Sequence, residues 1–123
     1  MRYIAKCYEL LSDFEQAEYF YKLSIIETPN LRESYYELAC FYFNQKKFLD
    51  CLVMLESMLN IKYRELNYIS SPYAWGENPY VLLGICYYNL KEKQKAITSA
   101  INGLKLFPNS KDLLYNLNVY NNM

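Results

Sequence analysis

The chain of 123 residues has no histidine, only three glycines and four prolines, and no surplus of either charge, with 13 basic and 13 acidic side chains. Each shortage excludes something. Without histidine no Ser-His or Cys-His pair can form. The three glycines are isolated from one another, so no glycine-rich loop exists to cradle a phosphate. A balanced charge gives no long-range field to steer the chain toward nucleic acid or anionic lipid. No apolar run approaches the ~18–20 residues that a membrane span needs. No basic-then-apolar signal peptide opens the chain, because residues 3–11 already read as an amphipathic helix. Cys7, Cys40, Cys51 and Cys86 stand apart, with no C-x-x-C pair. They cannot assemble a zinc site and read as buried, reduced thiols. The expectation is a cytoplasmic domain with no metal, no cofactor, no nucleic-acid partner and no membrane association.

What is present is a packed interior. Apolar residues make up 53% of the chain, enough for one domain over 1–123. Fifteen tyrosines are the outlier. A ring with a polar tip suits half-buried helix seams and surfaces that meet a partner, and counting does not separate the two uses.

The organisation is a repeat. Shifted by 34, Ile4-Ala5-x-x-Tyr8 falls on Leu38-Ala39-x-x-Tyr42, and Ala17 falls on Cys51. Shifted again by 45, Leu38-Ala39-x-x-Tyr42 falls on Leu83-Gly84-x-x-Tyr87. Ala96, Ala100, Gly103 and Pro108 follow in that third unit, and the first unit likewise ends on Pro29. The pattern suits paired antiparallel helices. The small residue (Ala5, Ala39, Gly84) sits where a first helix approaches its partner, and the aromatic lies one turn on. The proline lies just past the second helix, which it cannot continue. The helices predicted are about 2–11 and 14–28, 32–44 and 47–62, 79–90 and 93–107, and a last one at 110–121 capped by Ser110 or Asn109. The last helix covers the open end of the third unit with Leu113, Leu114, Leu117 and Tyr120, as a terminal cap in a repeat array should.

On these residues the chain resembles the tetratricopeptide repeat, whose 34-residue motif combines an aromatic, Leu-Gly, Tyr, Ala and Pro at fixed spacing. Tyr80, Leu83, Gly84, Tyr87, Ala96, Ala100, Gly103 and Pro108 follow it best. The second unit keeps Tyr35, Leu38, Ala39, Tyr42 and Cys51 but has Tyr63 where proline would fall. The resemblance implies an all-α solenoid of antiparallel helix pairs: units of about 1–31, 32–65 and 77–110 plus the capping helix, about seven helices in all. Two departures stand out. Met1 aligns with the fourth motif position, which suggests a chain cut from a longer protein. An insertion, about 66–76, carries Tyr73 and the only tryptophan, Trp75; it is either a functional loop or a plug between helices.

The resemblance also implies a concave face lined by first helices. There it places Arg2, Lys6, Glu9 and Leu10, then Tyr36, Cys40, Phe43 and Asn44, then Val81, Ile85, Tyr88 and Asn89, with Tyr115 and Val119 extending the row. From the second unit on, this stripe is apolar and aromatic, beyond what a monomer normally exposes. Either it takes a peptide, a second copy or another domain, or the insertion folds back over it. The lysine-rich set with which this family grips C-terminal carboxylates is missing there.

A narrower resemblance lies in Ala74-Trp75-Gly76, Pro79-Tyr80-x-Leu82-Leu83, Tyr87-Tyr88-Asn89-Leu90, Leu104-x-Leu106-x-Pro108 and Asn116-Leu117, with Arg32-Glu33-x-Tyr35-Tyr36-Glu37 upstream. These are similar to the helical C-terminal part of certain bacterial family 2 glycosyltransferases. That likeness implies self-association or the holding of an acceptor near a catalytic domain. The chain itself has no D-x-D-like acidic pair, and Glu15, Glu18, Glu33, Glu37, Glu56 and Glu92 fall at outer or terminal helix positions. No catalytic residue is expected in it. The function expected is a non-catalytic protein-interaction or self-association module; the alternative is a free-standing scaffold or regulatory repeat protein unrelated to sugar transfer.

Overall fold

The computed structural model describes residues 1–62 and 72–122, with side chains from Ala74 onward in the second stretch. Residues 63–71, which include Tyr63 and the 66–71 part of the predicted insertion, and the side chain of Tyr73 lie outside the described residues. Every regular element among those described is an α-helix. They fall in two compact units, Met1–Ser70 and Ser71–Met123.

The first unit contains α1 (Arg2–Leu10), α2 (Phe14–Glu27), α3 (Arg32–Asn44) and α4 (Phe48–Leu59). The second contains α5 (Pro72–Trp75), α6 (Asn78–Asn89), α7 (Lys93–Leu106) and α8 (Lys111–Asn121). The predicted helices are all found. The one addition is α5, a single turn inside the predicted insertion. It starts on a proline, which suits a first helical position because no amide is needed there. The helix expected over 47–62 stops at Leu59, and Ile61 instead gives its carbonyl to Arg32 Nε at 2.8 Å. That bond ties the end of α4 to the start of α3 through a buried guanidinium, a cation placed where the helix dipole is negative.

The backbone repeats as the side chains do. The turn within each helix pair carries one residue in the left-handed region, Ser12, Lys46 and Lys91, each with φ of 61°. In each case the next amide reaches back to the carbonyl of the motif tyrosine. Asp13 donates to Tyr8, Lys47 to Tyr42 and Glu92 to Tyr87, all at 2.9 Å. This is the 6→1 closure that ends a helix in a left-handed cap. The turns between pairs also match. Thr28 has φ −135° and ψ 67°, and Phe107 has φ −131° and ψ 70°. Each precedes the proline and then the next helix.

Packing follows the small positions. Ala5, Ala17, Ala39, Cys51, Cys86 and Ala96 are each fully buried. In the first unit α3 meets α2 through an aromatic seam, with Phe41 set 5.3 Å from Tyr21 and 6.1 Å from Phe14, ring centre to ring centre. Beside it lies a chain of hydroxyls: Ser24 Oγ donates to Ser34 Oγ at 3.2 Å, and Thr28 Oγ1 is 2.7 Å from Ser34 Oγ. These pairings satisfy polar groups that burial would otherwise penalise. In the second unit Gly84 behaves differently from the expectation for it. A Cβ built there would stand 2.6 Å from Tyr120 Oη, so its open side faces the capping helix α8 rather than α7. Gly103 on α7 likewise makes room for Leu113 of α8 and Tyr80 of α6, each within 2.8 Å of where its Cβ would be. The capping helix is therefore packed against glycines on both helices of its pair, and Ser110 Oγ caps it by accepting from the Leu113 amide at 3.2 Å.

Candidate functional site

The stripe residues sit on first helices because of the same periodicity that buries Ala39 and Gly84. Positions offset from the core stripe by a third of a turn face away from it. In the first unit Tyr36, Cys40 and Phe43 are half-buried on α3, and Asn44 is exposed at its end. Phe43 does not stand free, since its ring meets Phe48 of α4 edge-on at 5.8 Å. Cys40 takes a hydrogen bond from Tyr36 one turn earlier, and that bond lowers its pKa, but burial outweighs it and holds the thiol up at about 11. Cys40 is thus a neutral, inert thiol, not a nucleophile.

The α1 residues assigned to the same face carry the charge. Lys6 Nζ lies 3.8 Å from Glu9 Oε1, and Glu9 Oε1 accepts from the buried Tyr21 hydroxyl at 2.7 Å. Burial, then the Glu9 hydrogen bond and charge, push Tyr21 well above the ordinary tyrosine range. Sequence reasoning missed this link. The signal was there: Tyr21 falls on Leu55 in the 34-residue register, and a tyrosine in a leucine's core position needs a partner for its hydroxyl. Arg2 is half-buried and Leu10 is exposed.

In the second unit Val81 and Ile85 are half-buried, and Tyr88 is 42% exposed. The Tyr88 ring lies 5.9 Å from the buried ring of Tyr120 at an angle of 35°, so one face of it is fixed and the other is open. Asn89 is exposed, but its Nδ2 donates to the Ile85 carbonyl at 2.8 Å on its own helix. Tyr115 is 68% exposed on α8, while Val119 is half-buried. No charged residue belongs to this set. Trp75 is half-buried in α5. A cleft of about 620 Å³ lies elsewhere in this unit, between the turns that precede α6 and α8, lined by Glu77, Asn78, Phe107 and Ser110 among others. It brings together one acid and no base.

Among the described residues no group of three or more His, Cys, Asp or Glu side chains could hold a metal ion. Among them, too, no helix is long and apolar enough to cross a membrane.

No protein-family model matches the chain, and no curated protein matches it either. Its fold does have a solved relative, YrrB, described as a tetratricopeptide-repeat protein with an unusual peptide-binding site. The two superpose with a TM-score of 0.73 at 14% identity, over 97% of this chain and 56% of that one. The chain therefore spans little more than half the relative's length. At that identity the likeness establishes the fold: an all-α repeat of antiparallel helix pairs of the tetratricopeptide kind.

Proposed function

We propose that this chain is a non-catalytic interaction module that takes a protein or peptide segment at the facing positions of its first helices. One observation carries the reading. From α3 on, the facing positions present uncharged, incompletely buried side chains: Tyr36, Cys40 and Phe43 on α3, Val81, Ile85 and Tyr88 on α6, and Tyr115 on α8. Aromatic and aliphatic groups of that kind, poor in charge, are the composition of the core of a protein interface. The peptide site in YrrB's description supports the same use of this fold. The stiff helical scaffold and the inert thiol favour recognition over chemistry.

Substituting Tyr36, Phe43 and Tyr88 by Ser tests this. A peptide-binding screen and light scattering should show loss of partner capture or of assembly, with the helical content unchanged. Retained binding by a folded triple variant removes the proposal.

The parent context forms a second tier of the proposal. The likeness of residues 74–120 to the helical part of bacterial family 2 glycosyltransferases supports a place beside a catalytic domain, in the bacterial cytoplasm, where the module would self-associate or hold an acceptor. An acidic metal-binding motif encoded upstream of Met1 would support this. A parent gene without one favours the free-standing scaffold.

A further inference from the structure

In the first unit the facing row is not wholly uncharged, because two carboxylates meet at the seam between α1 and α3. Glu37 sits one residue past Tyr36 and three before Cys40, so it shares their side of α3. It is half-buried, and among the described residues it enters no ion pair. Across the seam Glu9 of α1 is fixed in place. Its side chain is only 15% exposed, and its Oε1 accepts from the hydroxyl of the core residue Tyr21 at 2.7 Å.

Both acids act on the same spot. Burial raises Tyr21 most, the Glu9 hydrogen bond and charge raise it next, and the charge of Glu37 raises it further. Cys40 is raised by burial and eased by the Tyr36 bond; Glu37 then raises it, Lys6 lowers it and Glu9 raises it again. Two carboxylates thus face one ammonium at the floor of the seam. Lys6 answers only part of that charge. Its Nζ stands 3.8 Å from Glu9 Oε1, and its side chain is 55% exposed. An exposed pair at that distance contributes little. Arg2, one turn before Lys6, is not among the leading charges on either group.

A half-buried negative spot beside an aromatic ring is complementary to a cation carried on an apolar stem. Tyr36 supplies the ring, since its hydroxyl bonds Cys40 at the same spot. The acid is confined to this unit, because the 45-residue shift that aligns the units puts Leu82 where Glu37 stands. We infer that the α1–α3 seam selects a lysine or arginine in the partner segment, its charged head against Glu9 and Glu37 and its stem along Tyr36. The inference rests on the interaction role proposed above and adds the chemistry of the segment: one basic residue, with apolar residues where the segment meets the rest of the row.

Selection of an unbiased peptide library on the intact chain, followed by titration of the hits, tests it. Peptides that shift the amides around Tyr36 should share a lysine or arginine. Replacing that residue by methionine should weaken binding about tenfold, the scale of a hydrogen bond to a charged group. Glu37→Gln should weaken the basic peptide by a similar factor and leave its methionine counterpart unchanged, with an unaltered far-ultraviolet circular dichroism spectrum. Both losses should shrink as salt is raised. Hits that bind at Tyr36 without a shared basic residue overturn the inference and leave the interaction role standing, as does a basic peptide that binds equally well after its own substitution by methionine. A library that yields no binder overturns both.

Discussion

The contact between Gly84 and Tyr120 lends itself to a double-mutant cycle whose sign follows from two distances. In Gly84→Ala the new methyl meets Tyr120 Oη at 2.6 Å, with ring carbons Cε2 and Cζ at 3.0 and 3.1 Å. Tyr120 is only 3% exposed and its ring is held against Tyr88, so it cannot swing clear. Overpacking of this kind costs about 1–3 kcal/mol. Alanine returns about 1 kcal/mol in helix propensity over glycine. The net for Gly84→Ala is therefore a loss of roughly 0–2 kcal/mol. Tyr120→Phe removes the closest atom, and it also removes a buried hydroxyl that has no hydrogen-bond partner among the described residues. Leaving such a group unsatisfied costs about 1–3 kcal/mol, so the phenylalanine variant should be more stable than the parent by about 1 kcal/mol. In that background the methyl meets only ring carbons, which need give by a few tenths of an ångström. Gly84→Ala should then become neutral or stabilising. The coupling between the two sites should be about 1 kcal/mol or more, in favour of the double variant. Urea unfolding followed by Trp75 fluorescence reads this directly, since Trp75 lies in the same compact unit. If Gly84→Ala costs the same with tyrosine and with phenylalanine at 120, or if Tyr120→Phe destabilises, the packing described for α8 is wrong.

Further outcomes follow from the turns, the cap and the buried acids. Lys91→Gly relieves a left-handed residue and should raise the urea midpoint of the second unit, by about 1 kcal/mol in stability; no gain would mean that φ of 61° is not held there. Ser110→Ala removes the side-chain cap of α8 and should cost about 1 kcal/mol, measured by the same unfolding, whereas Ser110→Asp should retain most of it. Stability should fall as pH rises from about 9 toward 12. Burial raises Cys40 from 9.0 to about 11 and Tyr120 from 10.0 to about 12, and it also raises Tyr21 and Tyr42. The unfolded chain therefore ionises first and is favoured across that window. Cys40→Ala should flatten the pH 9–11 part of the loss, and a stability constant from pH 8 to 12 would contradict the burial of these groups.

Much of the fold was legible because the same physics is written three times. A small residue and an aromatic one turn on recur in all three units, and a proline past the second helix closes the first and the third. Even the left-handed turns obey the repeat, although none of Ser12, Lys46 and Lys91 is a residue type that favours a positive φ. The insertion was harder to read. Pro72 announces a break but not that a helical turn starts on it, because a proline at a first position and a proline after a helix look alike in sequence. Gly84 misled for a related reason. A glycine signals close approach without saying which neighbour approaches, and the answer, Tyr120, lies 36 residues away. The stripe was legible as a row of positions, from Tyr36 to Tyr115. What its members do to one another was not. The Tyr36 bond to Cys40, the edge contact of Phe43 with Phe48 and the Glu9–Tyr21 link all depend on side-chain directions that spacing alone does not supply.

The central claim is that the facing positions of the first helices receive a protein segment. Amide chemical-shift mapping on the intact chain, titrated with hits from an unbiased peptide library, tests it most directly. The account predicts that saturating peptide shifts the amides around Tyr36 and Phe43, or those around Val81, Ile85, Tyr88 and Tyr115. It is contradicted if no library peptide binds the folded chain. Shifts confined to the exposed side of the second helices, at Leu49, Val53, Ile101 and Leu106, would contradict it as well.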